Sequence, residues 1–185
     1  MKKLVAGGLV ALGIAASPVA AAAQSAPFGT PEDTEYARLL WEVMESSRLA
    51  GRGALMSTPY DGAPPHGMML ETFYTTATIG GYTGNLIIKR NYGPEGVEAE
   101  AILAAPEEHL GSITVMFQRE EGYDPDNMNW FWVKYLPDGT LDKNPKGMAL
   151  AGRVAKGAEK GCIACHALAP GGDMIYTTDS LAMMK

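Results

Sequence analysis

Two cysteines and a histidine stand together in the run Gly161-Cys162-Ile163-Ala164-Cys165-His166. The spacing Cys-x-x-Cys-His is the attachment signature of a c-type haem. The two thiols add across the porphyrin vinyl groups, and the imidazole next to them gives the iron its proximal nitrogen. Two other chemistries use paired cysteines. A dithiol redox pair needs no histidine at the following position, and a zinc site needs more ligands than this chain offers nearby. No further cysteine occurs, so no thiol is left over for a disulfide. One covalent haem c per chain is the expected cofactor. Cys162 and Cys165 attach it, and His166 is the metal ligand.

The second axial position has no evident protein ligand. His166 lies close to the end of the sequence, whereas small electron carriers have the motif early and take a distal Met from a loop far downstream. Here only Met174, Met183 and Met184 follow. The first is too near to reach round a porphyrin, and the other two belong to a frayed end. Upstream, Met68, Met69 and Met116 read as core. His66 and His109 are the other candidate sixth ligands, but both sit beside loop signals, Pro64-Pro65-His66-Gly67 and Pro106-Glu107-Glu108-His109, and a solvated surface histidine is the default reading of each. The expectation is therefore a five-coordinate iron with an open distal face, suited to binding or transforming a small molecule.

These residues must be positioned by the elements before them. Thr30-Pro31-Glu32-Asp33 carries a capping hydroxyl, a proline and first-turn acids, and predicts a helix start. Tyr36, Leu39, Leu40, Val43 and Met44 continue it as one apolar stripe, with Gly51 as its end. Residues 53–67 are loop. Strands are expected at 68–78, 85–89, 112–117 and 129–135, the last with aromatics on both faces. A helix over 149–160 carries the haem motif on its far end. Helices at both ends with strands between predict an α+β domain, mainly an antiparallel sheet.

Residues 1–23 read as an export signal: Lys2 and Lys3, an apolar run, then Ala21-Ala22-Ala23 as the cleavage site. The apolar run is shorter than the roughly 20 residues that span a bilayer. Haem attachment in bacteria follows export, so signal and motif agree on the periplasm. Residues 24–52 then form an N-terminal helical segment and 53–185 the haem domain. A net charge of −6 without a basic cluster argues against nucleic-acid binding. Most of the 11 methionines read as core fillers.

From about Pro65 to Thr178 the chain resembles the cytochrome P-460 and cytochrome c-prime-beta family. The resemblance is carried by Pro65-His66-Gly67, residues 86–92 (Leu-Ile-Ile-Lys-Arg-Asn-Tyr) and residues 110–116 (Leu-Gly-Ser-Ile-Thr-Val-Met). It continues through Gly122-Tyr123-Asp124-Pro125, residues 129–135 (Asn-Trp-Phe-Trp-Val-Lys-Tyr) and Pro137-Asp138-Gly139-Thr140. It ends with the Cys-x-x-Cys-His run and Asp173-Met174-Ile175-Tyr176-Thr177. It implies a periplasmic, mostly β protein, commonly a homodimer, with a c-type haem and an open distal site. A periplasmic redox partner is a candidate partner beside the small ligand. Some members cross-link a Lys to the porphyrin and oxidise hydroxylamine. Others lack the bond and bind nitric oxide or carbon monoxide. Lys89 matches the cross-linking Lys and is the candidate catalytic residue. The distal carboxylate of the hydroxylamine enzymes falls at Pro170 here, which weakens the case for that oxidation, since a nearby base assists proton removal. Phe73, Phe117, Phe131, Trp130 and Trp132 offer apolar walls, with Phe117 and Trp132 assigned to haem contact. The leading expectation is capture of nitric oxide or a similar small ligand. A hydroxylamine or nitric-oxide oxidoreductase is the alternative, and plain electron transfer the third.

Overall fold

The computed structural model describes residues 27–177. The expected export signal, Met183 and Met184 lie outside them. Helix α1 (Pro31–Ser46) begins as its sequence dictates. The Thr30 hydroxyl accepts from the Asp33 amide at 3.1 Å, and the Asp33 carboxylate accepts from the Thr30 amide at 3.2 Å. Two donors that a helix start leaves free are thereby satisfied. The helix stops at Ser46, ahead of Gly51. Arg48 takes a left-handed φ of 58°, and the amides of Leu49 and Ala50 fold back onto the Met44 carbonyl.

Six strands then run in sequence order as one open antiparallel sheet, and the fold is α+β. They are β1 (Tyr60–Asp61), β2 (Met69–Ile79), β3 (Tyr82–Tyr92), β4 (Leu110–Gln118), β5 (Trp130–Tyr135) and β6 (Ala151–Gly152). Two short helices, α2 (Ala99–Ala104) and α3 (Pro106–His109), bridge β3 and β4, so His109 ends a helix away from the motif. Side chains alternate across a sheet with period two. Leu86, Phe117 and Phe131 lie side by side on β3, β4 and β5, as do Ile88, Val115 and Val133. Both rows belong to the core that includes Leu40 and Met44 of α1. The Tyr135 hydroxyl donates to the Ala37 carbonyl at 2.6 Å and ties the helix to β5. The intervening residues form two rows on the other face, Ile87–Met116–Trp132 and Lys89–Thr114–Lys134.

The expected helix over 149–160 is absent. β6 pairs with β5 there, and Gly152, Ala155 and Gly157 take φ of 100°, 60° and 74°. A right-handed helix does not pass through such residues. At Gly152 the Asp33 carboxylate lies 2.5 Å from where a Cβ would stand, so close approach adds to the φ requirement. Only α4 (Cys162–His166) is helical, one short turn holding the motif itself.

Candidate functional site

Helix α4 sits over the sheet face opposite α1. Ile163 points inward and is buried with Ile87, Met116, Trp132 and Val154. Between α4 and the sheet lies a cavity of about 710 Å³, within the range of small-molecule and cofactor sites. Cys162, Cys165 and His166 all line it, as do both sheet rows named above. Cys162 is half-buried, and burial pushes its thiol pKa up, while Cys165 is exposed at the rim. The motif residues are thus brought to one cavity.

His166 is buried, and its Nδ1 faces the Met174 carbonyl at 2.8 Å. A carbonyl only accepts, so Nδ1 carries the hydrogen and Nε2 keeps its lone pair. Burial holds the ring's pKa below its ordinary value, keeping it neutral. A neutral imidazole whose other nitrogen donates to a carbonyl is the form that ligates a metal. Met174 therefore acts through its backbone. Trp132 and Tyr176 flank the ring edge-on, with centroids 4.9 Å and 5.5 Å away.

His66 is not a solvated loop histidine. It lines the same cavity, with its ring centroid 6.3 Å from that of His166. Its Nδ1 lies 3.0 Å from the Asn91 side-chain oxygen. Burial, then the neighbouring Lys89 cation and the His166 ring, lower its pKa to about 4, against the pull of Asn91 in the other direction. The loop signals Pro64-Pro65 and Gly67 describe its backbone correctly. They say nothing about where the ring goes, and β3 and β4 supply its pocket through Asn91 and Thr114.

Lys89 is only 8 % exposed and lines the cavity, as its position on the Ile87–Lys89–Asn91 face requires. Among the described residues its ammonium has no ion pair, and burial lowers its pKa. Trp132 also lines the cavity, and its buried indole N–H has no hydrogen-bond partner among the described residues. Lys134 on the same face is paired with Asp142 at 2.8 Å. Pro170 is exposed.

The expected contact of Phe117 with a cofactor is corrected. Phe117 alternates with Met116, so it faces α1, where Tyr36 and Tyr82 rings lie 6.1 Å and 6.4 Å from its own. Phe73 and Phe131 belong to that same core, whereas Trp130 is on the cavity face and donates to the Asp173 carbonyl at 3.2 Å. Replacing fully buried Phe117 by Ala is expected to cost roughly 3–5 kcal/mol of stability in chemical denaturation. Ligand binding in the cavity, titrated below the unfolding transition, should be unchanged. A shift in affinity would place the ring's influence on the cavity side.

Among the described residues no group of three or more His, Cys, Asp or Glu gathers to hold a bare metal ion. One imidazole flanked by two thiols suits a metal that arrives inside a macrocycle. No family profile matches the chain, and no curated protein or solved structure matches it.

Proposed function

We propose that this protein is a mono-haem c-type cytochrome of the P-460 and c-prime-beta kind, exported to the periplasm, which binds nitric oxide or a similarly small ligand. The observation that carries the reading is the convergence of Cys162, Cys165 and an uncommitted His166 Nε2 on one largely apolar cavity. The lining suits the group. Ile87, Met116, Leu150, Val154 and Ile175 offer apolar contact to a macrocycle, and exposed Lys160 at the cavity's edge offers positive charge to its carboxylates. Bound haem supplies an iron with an axial position for a small ligand. The chain's own residues hold it, orient it through the His166–Met174 contact and screen it from water.

The test is the visible spectrum of the reduced holoprotein with and without carbon monoxide. A high-spin, five-coordinate ferrous spectrum that shifts promptly on adding the gas is expected. A low-spin spectrum indifferent to carbon monoxide would favour electron transfer instead.

One observation favours the second reading, an oxidoreductase with a Lys–haem bond. Lys89 is buried, has no ion pair among the described residues, and burial lowers its pKa, which eases access to the neutral, nucleophilic form. Lys89→Arg keeps a charge but is a poor nucleophile for carbon. If the bond exists, a Lys89 peptide stays on the haem after proteolysis of the wild type, and the variant loses both that adduct and hydroxylamine turnover. If variant and wild type give the same haem peptides, Lys89 is not bonded. The homodimer implied by the resemblance belongs to the same proposal and is checked by light scattering.

A further inference from the structure

The sheet has two edges, and only one of them is blunted. At one end β6 is two residues long. At the other, β1 pairs only with Met69 and Leu70 of β2, which leaves residues 72–79 as an open edge among the described residues. That stretch is longer than an ordinary strand of about five to six residues. The hairpin decides which backbone groups it presents. Gly80 and Gly81, with φ of 59° and 87°, form a two-residue turn between the paired residues Ile79 and Tyr82. Ile79 therefore spends its N–H and C=O on β3, as do Ala77, Thr75 and Phe73. The even-numbered residues, Thr72, Thr76 and Thr78 among them, turn theirs outward. The β1 end agrees, since the Met68 carbonyl accepts from the Gly62 amide at 2.7 Å on that outer side.

Sheets protect a long edge with Lys, Pro, a bulge or a covering element. None of these devices guards this edge among the described residues. From residue 72 to residue 88 the sequence has no Asp, Glu, Lys, Arg or Pro, although charged residues make up 19% of the chain. The pairing of β2 with β3 runs through residues 69–79 without a bulge. Thr75, Thr76 and Thr78 are exposed and β-branched, which suits them to strand pairing. A chain of net charge −6 repels a second copy of itself. The uncharged hairpin is the place where two copies approach without that cost.

We infer that the 72–79 edge is a self-association surface, on which two copies of this chain pair β2 with β2 about a two-fold axis. The occupant is a second copy because the edge is self-complementary. A two-fold axis perpendicular to the sheet makes identical strands antiparallel, the sense of every other pairing in this sheet. Outward N–H groups of each strand then meet outward C=O groups of the other. The two sheets become one, with both α1 helices on one face and both cavities opening on the other. The inference rests on the homodimer of the reading above and names its surface.

The test is light scattering of the full chain over a dilution series, in wild type, Thr76→Pro and Thr76→Lys. Proline removes an outward N–H that β3 does not use, so an edge strand accommodates it. Lysine leaves the backbone intact and places a charge on the edge of each copy. The wild type should be dimeric, and each variant should dissociate at least about tenfold more readily, since symmetry doubles every lost contact. Circular dichroism should stay that of the wild type, which identifies a folded monomer. A dimer unmoved by both variants overturns the inference and leaves the homodimer standing on another surface. A monomeric wild type removes both. A wild type that dimerises only after residues 178–185 are deleted assigns the edge to that segment and overturns the inference as well. None of these outcomes bears on the haem, which the reduced spectrum tests separately.

Discussion

The double variant Cys162→Ala/Cys165→Ala is expected to hold no haem through denaturation and acid–acetone extraction. Each single variant should keep one thioether, visible as an intact mass raised by one haem. The effect is all-or-none because these are the only two thiols in the chain. It is also clean. Both side chains lose a single sulfur, Cys165 is exposed and Cys162 only half-buried, and neither belongs to the α1-side core. Stability should change little, since Cys165 is exposed and Cys162 only borders the cavity-side cluster. Loss of haem then reports missing bonds and not a missing fold. The spacing explains why both thiols serve one group. On α4, residues three apart share a face, and that face opens on the cavity. Haem that survives extraction from the double variant would end the attachment proposal.

The parts of this architecture that were legible beforehand are those written in local patterns. Thr30 and Asp33 announce a capped helix, and residues 112–117 alternate so plainly that β4 follows from period two alone. Alternation also tells which residues are neighbours, since Met116 and Phe117 must face opposite ways. It does not tell which face meets the cavity, and Phe117 lies on the face turned to α1. The face is set by where α1 packs and where α4 returns, both long-range facts. Alanines between 149 and 160 look helical, yet Gly152, Ala155 and Gly157 adopt left-handed backbone there because β6 must pair with β5 and turn back. Pairing outweighed propensity.

His66 shows the same limit within the site. Its neighbours Pro65 and Gly67 mark a loop, and loop histidines are usually wet. What makes this one a wall of the cavity is Asn91, 25 residues on, and Thr114, 48 residues on. Neither separation leaves a local trace. His166 and its thiols were legible because the Cys-x-x-Cys-His run compresses three functional groups into five positions. Its second contact, the Met174 carbonyl, was not legible, since a backbone acceptor has no residue type.

That carbonyl shapes the result expected for His166→Gly. The substitution removes an imidazole whose Nδ1 bonds the Met174 carbonyl at 2.8 Å and whose Nε2 is thereby left free. The thioethers should still form, because Cys162 and Cys165 are untouched. The proximal nitrogen should be lost from the whole population, with the spectrum of a haem lacking its strong axial base. Trp132 and Tyr176 remain in place around a vacated, imidazole-sized space bounded by their rings. Added imidazole should enter it, donate to the Met174 carbonyl as His166 does, and partly restore the wild-type spectrum and carbon monoxide affinity. Restoration separates ligand loss from misfolding, since an exogenous ring repairs only the former. Asp or Glu at the same position would not substitute, because each brings a charge into an apolar wall where burial already disfavours the cationic form of His166. A glycine variant that keeps the wild-type five-coordinate spectrum without imidazole would show that another side chain holds the iron. His66, 6.3 Å away centroid to centroid and with its own Nε2 free, would then be the residue to replace next.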